Sequence, residues 1–151
     1  MKKAYLGIDP GVNGAIAILW GDGTIDAYKC PKDVNKMSLL IKQVANHCIV
    51  ENYRLITGIE RVWTLPRDGR KGAFTFGMNY GMWFGITANY ELNLVTPQKW
   101  QSHYGELPKD KTLKKRKLKE IATEIVNNNV KPTLCTSDAI LIANYGKENY
   151  E

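Results

Sequence analysis

The chain has 151 residues, 44% of them hydrophobic, with a formal net charge of +6 and a pI near 9.2. This is apolar material for one domain, read as a single unit over residues 1–151, and no apolar run is long enough to span a membrane. The three cysteines, Cys30, Cys48 and Cys135, are odd in number and widely spaced, which excludes a disulfide framework or a zinc pattern and predicts reduced thiols in an intracellular protein.

Residues 3–9 form a nearly continuous apolar run and are expected as a central strand. Gly11-Val12-Asn13-Gly14 predicts a tight turn into a second strand at Ala15–Trp20. Gly21-Asp22-Gly23 is a hairpin signal leading to a third strand at Thr24–Tyr28. A helix is expected from Asn35 to Glu51, with Leu39, Leu40, Val44, Ala45 and Cys48 as its apolar face. Residues 54–60 return as a strand. After the polar loop Pro66-Arg67-Asp68-Gly69-Arg70, a second helix covers Lys71–Asn89 and a short strand Asn93–Val95. A third helix is expected at Lys111–Val126, with Leu118, Ile121, Ala122 and Ile125 inward, and a last one from Ser137, capped by Thr136 or Ser137. The order βββ-α-β-α-β-α-α implies an α/β fold: a five-stranded mixed sheet, three antiparallel strands then parallel ones, flanked by helices.

Three carboxylates stand out against this order. Asp9 closes the first strand, Glu60 closes the fourth, and Asp138 opens the last helix. Each has an ordinary explanation alone. Asp-Pro-Gly is turn chemistry, a strand-end Glu can be solvated, and the helix dipole favours an acid in the first turn. With the fourth strand parallel to the first, however, Asp9 and Glu60 fall side by side, and the last helix can bring Asp138 to them. Such acids are costly to desolvate without a cation, and together they would bind a hard divalent ion. Two-metal phosphodiester cleavage asks for such a cluster, with ions roughly 4 Å apart.

The positive charge is clustered near these acids. Residues 109–119 hold seven Lys or Arg and one acid, Asp110, while Arg61, Arg67, Arg70 and Lys71 follow Glu60. On a helix Lys111, Lys115 and Lys119 form one stripe, and with few acids between them they point to phosphate contacts as well as to a solvated face. Trp63, three residues after Glu60, suits either base stacking or the core. Gly77, Gly81 and Gly85, beside Met78 and Met82, recur at spacing four. Three glycines cost about 1 kcal/mol each in a helix, so they imply close backbone approach, either onto the sheet or to a second helix across a two-fold axis.

Gly7-Ile8-Asp9-Pro10-Gly11 with Gly14-Ala15-Ile16-Ala17, Ile59-Glu60-Arg61-Val62-Trp63 and Ser137-Asp138-Ala139-Ile140-Leu141-Ile142-Ala143 resemble the successive motifs of RuvC-type Holliday-junction resolvases, in the short form encoded by phages. The resemblance covers about residues 4–146. It implies a ribonuclease H-like fold and a homodimer that cuts four-way DNA junctions with Mg²⁺ or Mn²⁺, by paired nicks leaving 5′-phosphates. It implies no small-molecule cofactor and no membrane partner, and a place in the cytoplasm of a bacterium or phage-infected cell. By the same resemblance Asp9, Glu60 and Asp138 match the metal-binding acids, and Lys111 falls near a lysine placed by the scissile phosphate. Trp63 matches a junction-stacking aromatic. Arg61, Arg67, Arg70, Lys71, Lys114 and Lys115 would guide the DNA arms, and the helix with Gly77, Gly81, Gly85, Met78 and Met82 lies at the dimer interface. The sequence departs from the family at Cys135, where bacterial members carry another Asp, and near Lys99, the nearest candidate for a displaced lysine whose usual place Gln101 takes. The rival expectations are a less selective or RNA–DNA hybrid nuclease of this fold, and a junction-binding protein that does not cut. A sugar-kinase or actin-like phosphotransferase would need two lobes, for which the chain is too short.

Overall fold

The computed structural model describes residues 1–127 and 130–150. Its chain runs through strands β1 (Lys2–Asp9), β2 (Ala15–Leu19) and β3 (Ile25–Lys29), helix α1 (Val34–Val50) and strand β4 (Tyr53–Glu60). A 3-10 turn (Pro66–Asp68) then enters helix α2 (Gly69–Thr87), followed by strand β5 (Leu92–Val95) and helices α3 (Pro97–Ser102), α4 (Lys111–Ile125) and α5 (Ser137–Asn149). The strands lie in the order β3-β2-β1-β4-β5. β1 pairs antiparallel with β2, and β2 with β3, while β4 and β5 are parallel additions on the other side of β1. This is the mixed five-stranded α/β sheet expected from the element order, with one addition: the six-residue α3, which starts at the cap Thr96 and at Pro97.

Side chains alternate across the sheet. Ala4, Leu6, Ile8, Ile16, Ile18, Leu55 and Ile59 face one core with Met37, Ile41, Val44 and Cys48 of α1 and Trp83 of α2. Tyr5, Ala15, Ala17, Leu19 and Ile56 face the other, with Leu118 and Ala122 of α4 and the length of α5. The buried stripe of α1 is therefore Met37-Ile41-Val44-Ala45-Cys48, and Leu39, expected inward, is exposed. At spacings of four and three, Met37, Ile41, Val44 and Cys48 keep to one side of the helix, and Leu39 falls off it. The hairpin after β2 forms as its glycines suggest. Trp20 N–H donates to Thr24 O, and Asp22 Oδ1 accepts from the Thr24 N–H and hydroxyl.

α5 is buried from Ser137 to Gly146. Its approach to the sheet depends on Gly7 and Gly58, which are register partners in β1 and β4. A Cβ on Gly7 would stand 2.2 Å from Ala139 O and 2.5 Å from Ala143 N, so helix backbone fills the space of a side chain. Ala139 and Ala143, one turn apart, are small enough to permit this. At its N-terminus the expected caps differ in detail: Thr136 Oγ1 accepts from Thr133 N–H, and Ser137 Oγ donates to Thr133 O, so neither side chain caps the helix.

The glycines of α2 behave differently. A Cβ on Gly77, Gly81 or Gly85 would meet nothing within 4 Å, so they do not pack onto the sheet. The helix instead turns Asn79, Trp83 and Thr87 inward, with Met82 partly buried against the same core. Phe74 is 71% exposed, and Met78 and Phe84 stand half in solvent near the glycines.

These two settings predict opposite responses to one methyl group. Gly7→Ala should destabilise the chain by about 3 kcal/mol or more, because backbone on both sides must move. Gly81→Ala should stabilise dilute protein by up to about 1 kcal/mol through helix propensity. Urea unfolding of both variants checks this; a neutral Gly7→Ala would contradict the α5 docking described.

Candidate active site

Because Ile8 pairs with Ile59 in parallel register, the next residues, Asp9 and Glu60, end neighbouring strands side by side. Alternation puts both on the face of Gly7 and Gly58, which α5 covers. Asp138 lies one residue before Ala139, the residue pressed against Gly7, so the helix start comes to the same corner. Each acid is held differently. Glu60 Oε2 accepts 2.6 Å from the indole N–H of Trp100, which is fully buried on α3. Asp138, 7% exposed, has Oδ2 against the Lys115 ammonium of α4, and its buried Oδ1 finds no hydrogen-bond partner among the described residues. Asp9 is partly buried at the strand tip.

The electrostatics are those of acids crowded without enough positive charge. Burial, then the charges of Glu60 and Asp138, push the Asp9 carboxyl well above its ordinary range, with Lys115 opposing. Burial also raises Glu60, helped by Asp138 and resisted by the Trp100 hydrogen bond and by Lys115 and Lys114. Burial works to lower the Lys115 ammonium, but its pairing with Asp138 and the charges of Asp9 and Glu60 outweigh this and raise it. All four groups thus share one field.

Among the described residues, no three His, Cys, Asp or Glu side chains are set closely enough to hold a metal ion as they stand. The donor set nevertheless fits a hard divalent cation. It offers carboxylate oxygens, one of them buried and unpartnered on Asp138, and two carboxyls raised by burial and by neighbouring carboxylates, which a cation would relieve.

The turn after Asp9 is braced from several sides. Gly14 N–H donates to Gly11 O at 3.0 Å, and a Cβ on Gly14 would stand 2.0 Å from Asp9 O. Gly11, at φ +125°, donates its N–H to Asn79 Oδ1 of α2 at 2.7 Å. The Cys30 thiol donates to Asp9 O at 3.6 Å, and the Cys135 thiol points at the carbonyls of Asn13 and Gly14. Phe76 of α2 forms a wall common to two open clefts. One, of about 360 Å³, is lined by Asp9 to Gly14; the other, of about 250 Å³, by Glu60, Arg61, Val62, Trp63, Leu65, Asp68 and Pro97. Trp100, Asn79 and Phe76 were not among the expected site residues. The Thr96-Pro97 helix start was the signal that could have flagged Trp100; nothing local marks Asn79.

The basic residues divide into groups. Lys115 meets the acids, whereas Lys111, one turn earlier on the same stripe, is exposed. Lys114 is near enough to act on Glu60 and lines a cleft of about 300 Å³ with Lys109, Gln98, Gln101 and Ser102. Arg61 and the 52% exposed Trp63 flank Glu60. Arg67, Arg70 and Lys71 are exposed on the 3-10 turn and the start of α2, and Lys99 is exposed on α3. A larger hollow of about 550 Å³, lined by Arg116, Lys119, Glu120, Thr123, Glu124 and Leu134, contains none of the three acids, and its own acids offset its bases.

A carboxyl raised on folding keeps its proton to higher pH in the folded chain than in the unfolded one. The folded state therefore loses stability as pH climbs from the unfolded value, about 4, through the raised one. In EDTA, thermal unfolding should show wild type losing stability over this interval, and Asp9→Asn losing less. At neutral pH Asp9→Asn should be the more stable of the two. A less stable Asp9→Asn would contradict the repulsion described.

No protein-family model matches the chain, and no curated protein sequence does. Solved structures do. Thermus thermophilus RuvC in complex with a Holliday junction substrate superposes with a TM-score of 0.60 at 14% identity, covering 96% of this chain and 92% of that one. Another Thermus thermophilus RuvC structure gives a TM-score of 0.58, also at 14% identity, covering 96% and 95%. The fold of this chain is the RuvC-like, ribonuclease H-like fold.

Proposed function

We propose that the protein is a homodimeric, Mg²⁺- or Mn²⁺-dependent endonuclease that resolves four-way DNA junctions. The observation that carries this reading is the meeting of Asp9, Glu60 and Asp138 at one corner of the sheet, set by the β1–β4 register and by the docking of α5 on Gly7. The fold neighbour that holds a Holliday junction substrate supports the choice of branched DNA. In this reading Asp9, Glu60 and Asp138 hold the metal. When bound, a divalent cation would supply the Lewis acidity for hydrolysis of a phosphodiester. The chain's own residues do the rest. Trp100 fixes the Glu60 carboxylate, Asn79 fixes the turn after Asp9, and Phe76 walls the approach.

Trp63 is exposed beside Glu60, where an unpaired base could stack. Arg61, Arg67, Arg70, Lys71, Lys99, Lys111 and Lys114 offer charge for the DNA backbone. Two symmetric nicks need two sites related by a two-fold axis. The open glycine stripe of α2 with the exposed Phe74, Met78 and Phe84 is the face offered for that pairing. The reading also places the protein in the cytoplasm, where such junctions form.

Incubation with an immobile four-way junction and Mg²⁺ should give paired nicks at symmetric positions with 5′-phosphate ends. Asp9→Asn should slow nicking by roughly 100- to 1,000-fold or more while still shifting the junction in a gel. Preference for an RNA–DNA hybrid would favour the less selective nuclease. Binding with no nicks, in Mn²⁺ as in Mg²⁺, would leave a non-cleaving junction binder.

A further inference from the structure

We propose that the Lys115 ammonium takes the place of a second cation, so that this acid cluster binds one divalent ion per protomer rather than two. The inference rests on the metal-dependent reading above and deepens it by assigning the site's stoichiometry. Three observations carry it.

The first is the position of Lys115. Its Nζ sits on Asp138 Oδ2, and the side chain is only partly exposed, so the charge is held among the acids and not swept through solvent. Asp138 opens the helix that is pressed onto Gly7, so the ammonium stands at the corner where Asp9 and Glu60 end their strands. Lys111, one turn earlier on the same stripe, stands away in solvent.

The second is the charge of the cluster. Three carboxylates against one ammonium leave two negative charges, the charge of one divalent cation. A second divalent ion would bring net positive charge into a corner where Asp138 is almost wholly buried.

The third is the ligand supply. Lys115 occupies one oxygen of Asp138, leaving the unpartnered Oδ1 for an ion. Cys135, three residues before Asp138, adds no ligand to the corner. Its thiol is turned to Asn13 O at 3.3 Å and Gly14 O at 3.5 Å, bracing the turn, and a thiol is a poor ligand for Mg²⁺.

The test is a Mn²⁺ titration of metal-free protein, with unbound Mn²⁺ counted by electron paramagnetic resonance. Wild type should bind one ion per protomer. Lys115→Ala leaves the acids without their ammonium and should take up a second ion, or bind the first at least tenfold more tightly. Lys115→Arg keeps the charge and should stay at one. Circular dichroism of each variant identifies any that has failed to fold, and the wild-type count stands on its own. Two ions of similar affinity in wild type, both lost in Glu60→Gln, would overturn the inference while leaving the nuclease reading intact. A wild-type count of one with Lys115→Ala unchanged in number and affinity would overturn it too. Binding no Mn²⁺, or binding that Glu60→Gln leaves unchanged, would overturn both.

Discussion

Gly7 lacks a side chain, and the backbone of α5 takes up the space one would need. Ala139 O and Ala143 N lie where a β-carbon would clash. Gly58, the register partner of Gly7, keeps the neighbouring strand equally low, and a Cβ there would already press on Ile142 at 3.3 Å. A helix set this close is fixed along its axis as well as in height, because its small residues must sit over the glycines. That fixes the position of Asp138, which otherwise would be only an acid in a helix's first turn. The parallel register of β1 with β4 fixes Asp9 beside Glu60. The acid corner is therefore a consequence of how closely one helix approaches two strands.

The corner is also unfavourable as it stands. Burial and like charge raise Asp9 and Glu60, and one oxygen of Asp138 is buried with no partner among the described residues. Folding tolerates this because the strain is local and its supports are many. Trp100 holds Glu60, Lys115 holds Asp138, and Asn79 with two thiols holds the turn behind Asp9. Clusters of this kind are characteristic of functional sites, where groups that repel one another are kept together for a ligand.

Much of this was legible in the sequence, for a physical reason. Strand and helix periods are local, so the runs ending in Asp9 and Glu60, the Gly21-Asp22-Gly23 hairpin and the helix opened by Ser137-Asp138 could be read without knowing what they pack against. What escaped depends on tertiary placement. Lys111 and Lys115 lie on one stripe of α4, and only the docking of α4 beside α5 decides that Lys115 meets Asp138. Leu39 looked as apolar as Met37, but Met37 lies on the buried stripe with Ile41, Val44 and Cys48, and Leu39 falls off it. The glycines of α2 signalled close approach, yet within the chain their stripe faces open space. Trp100 sits on a six-residue helix too short for any period to show.

The central claim is that Asp9, Glu60 and Asp138 together hold a divalent ion. Anomalous diffraction from crystals soaked in Mn²⁺ measures this directly. The account predicts one strong peak at this corner, within direct ligand distance of all three carboxylates, with Lys115 still against Asp138. A peak elsewhere, or three carboxylates pointing to separate surfaces with no ion among them, would contradict it.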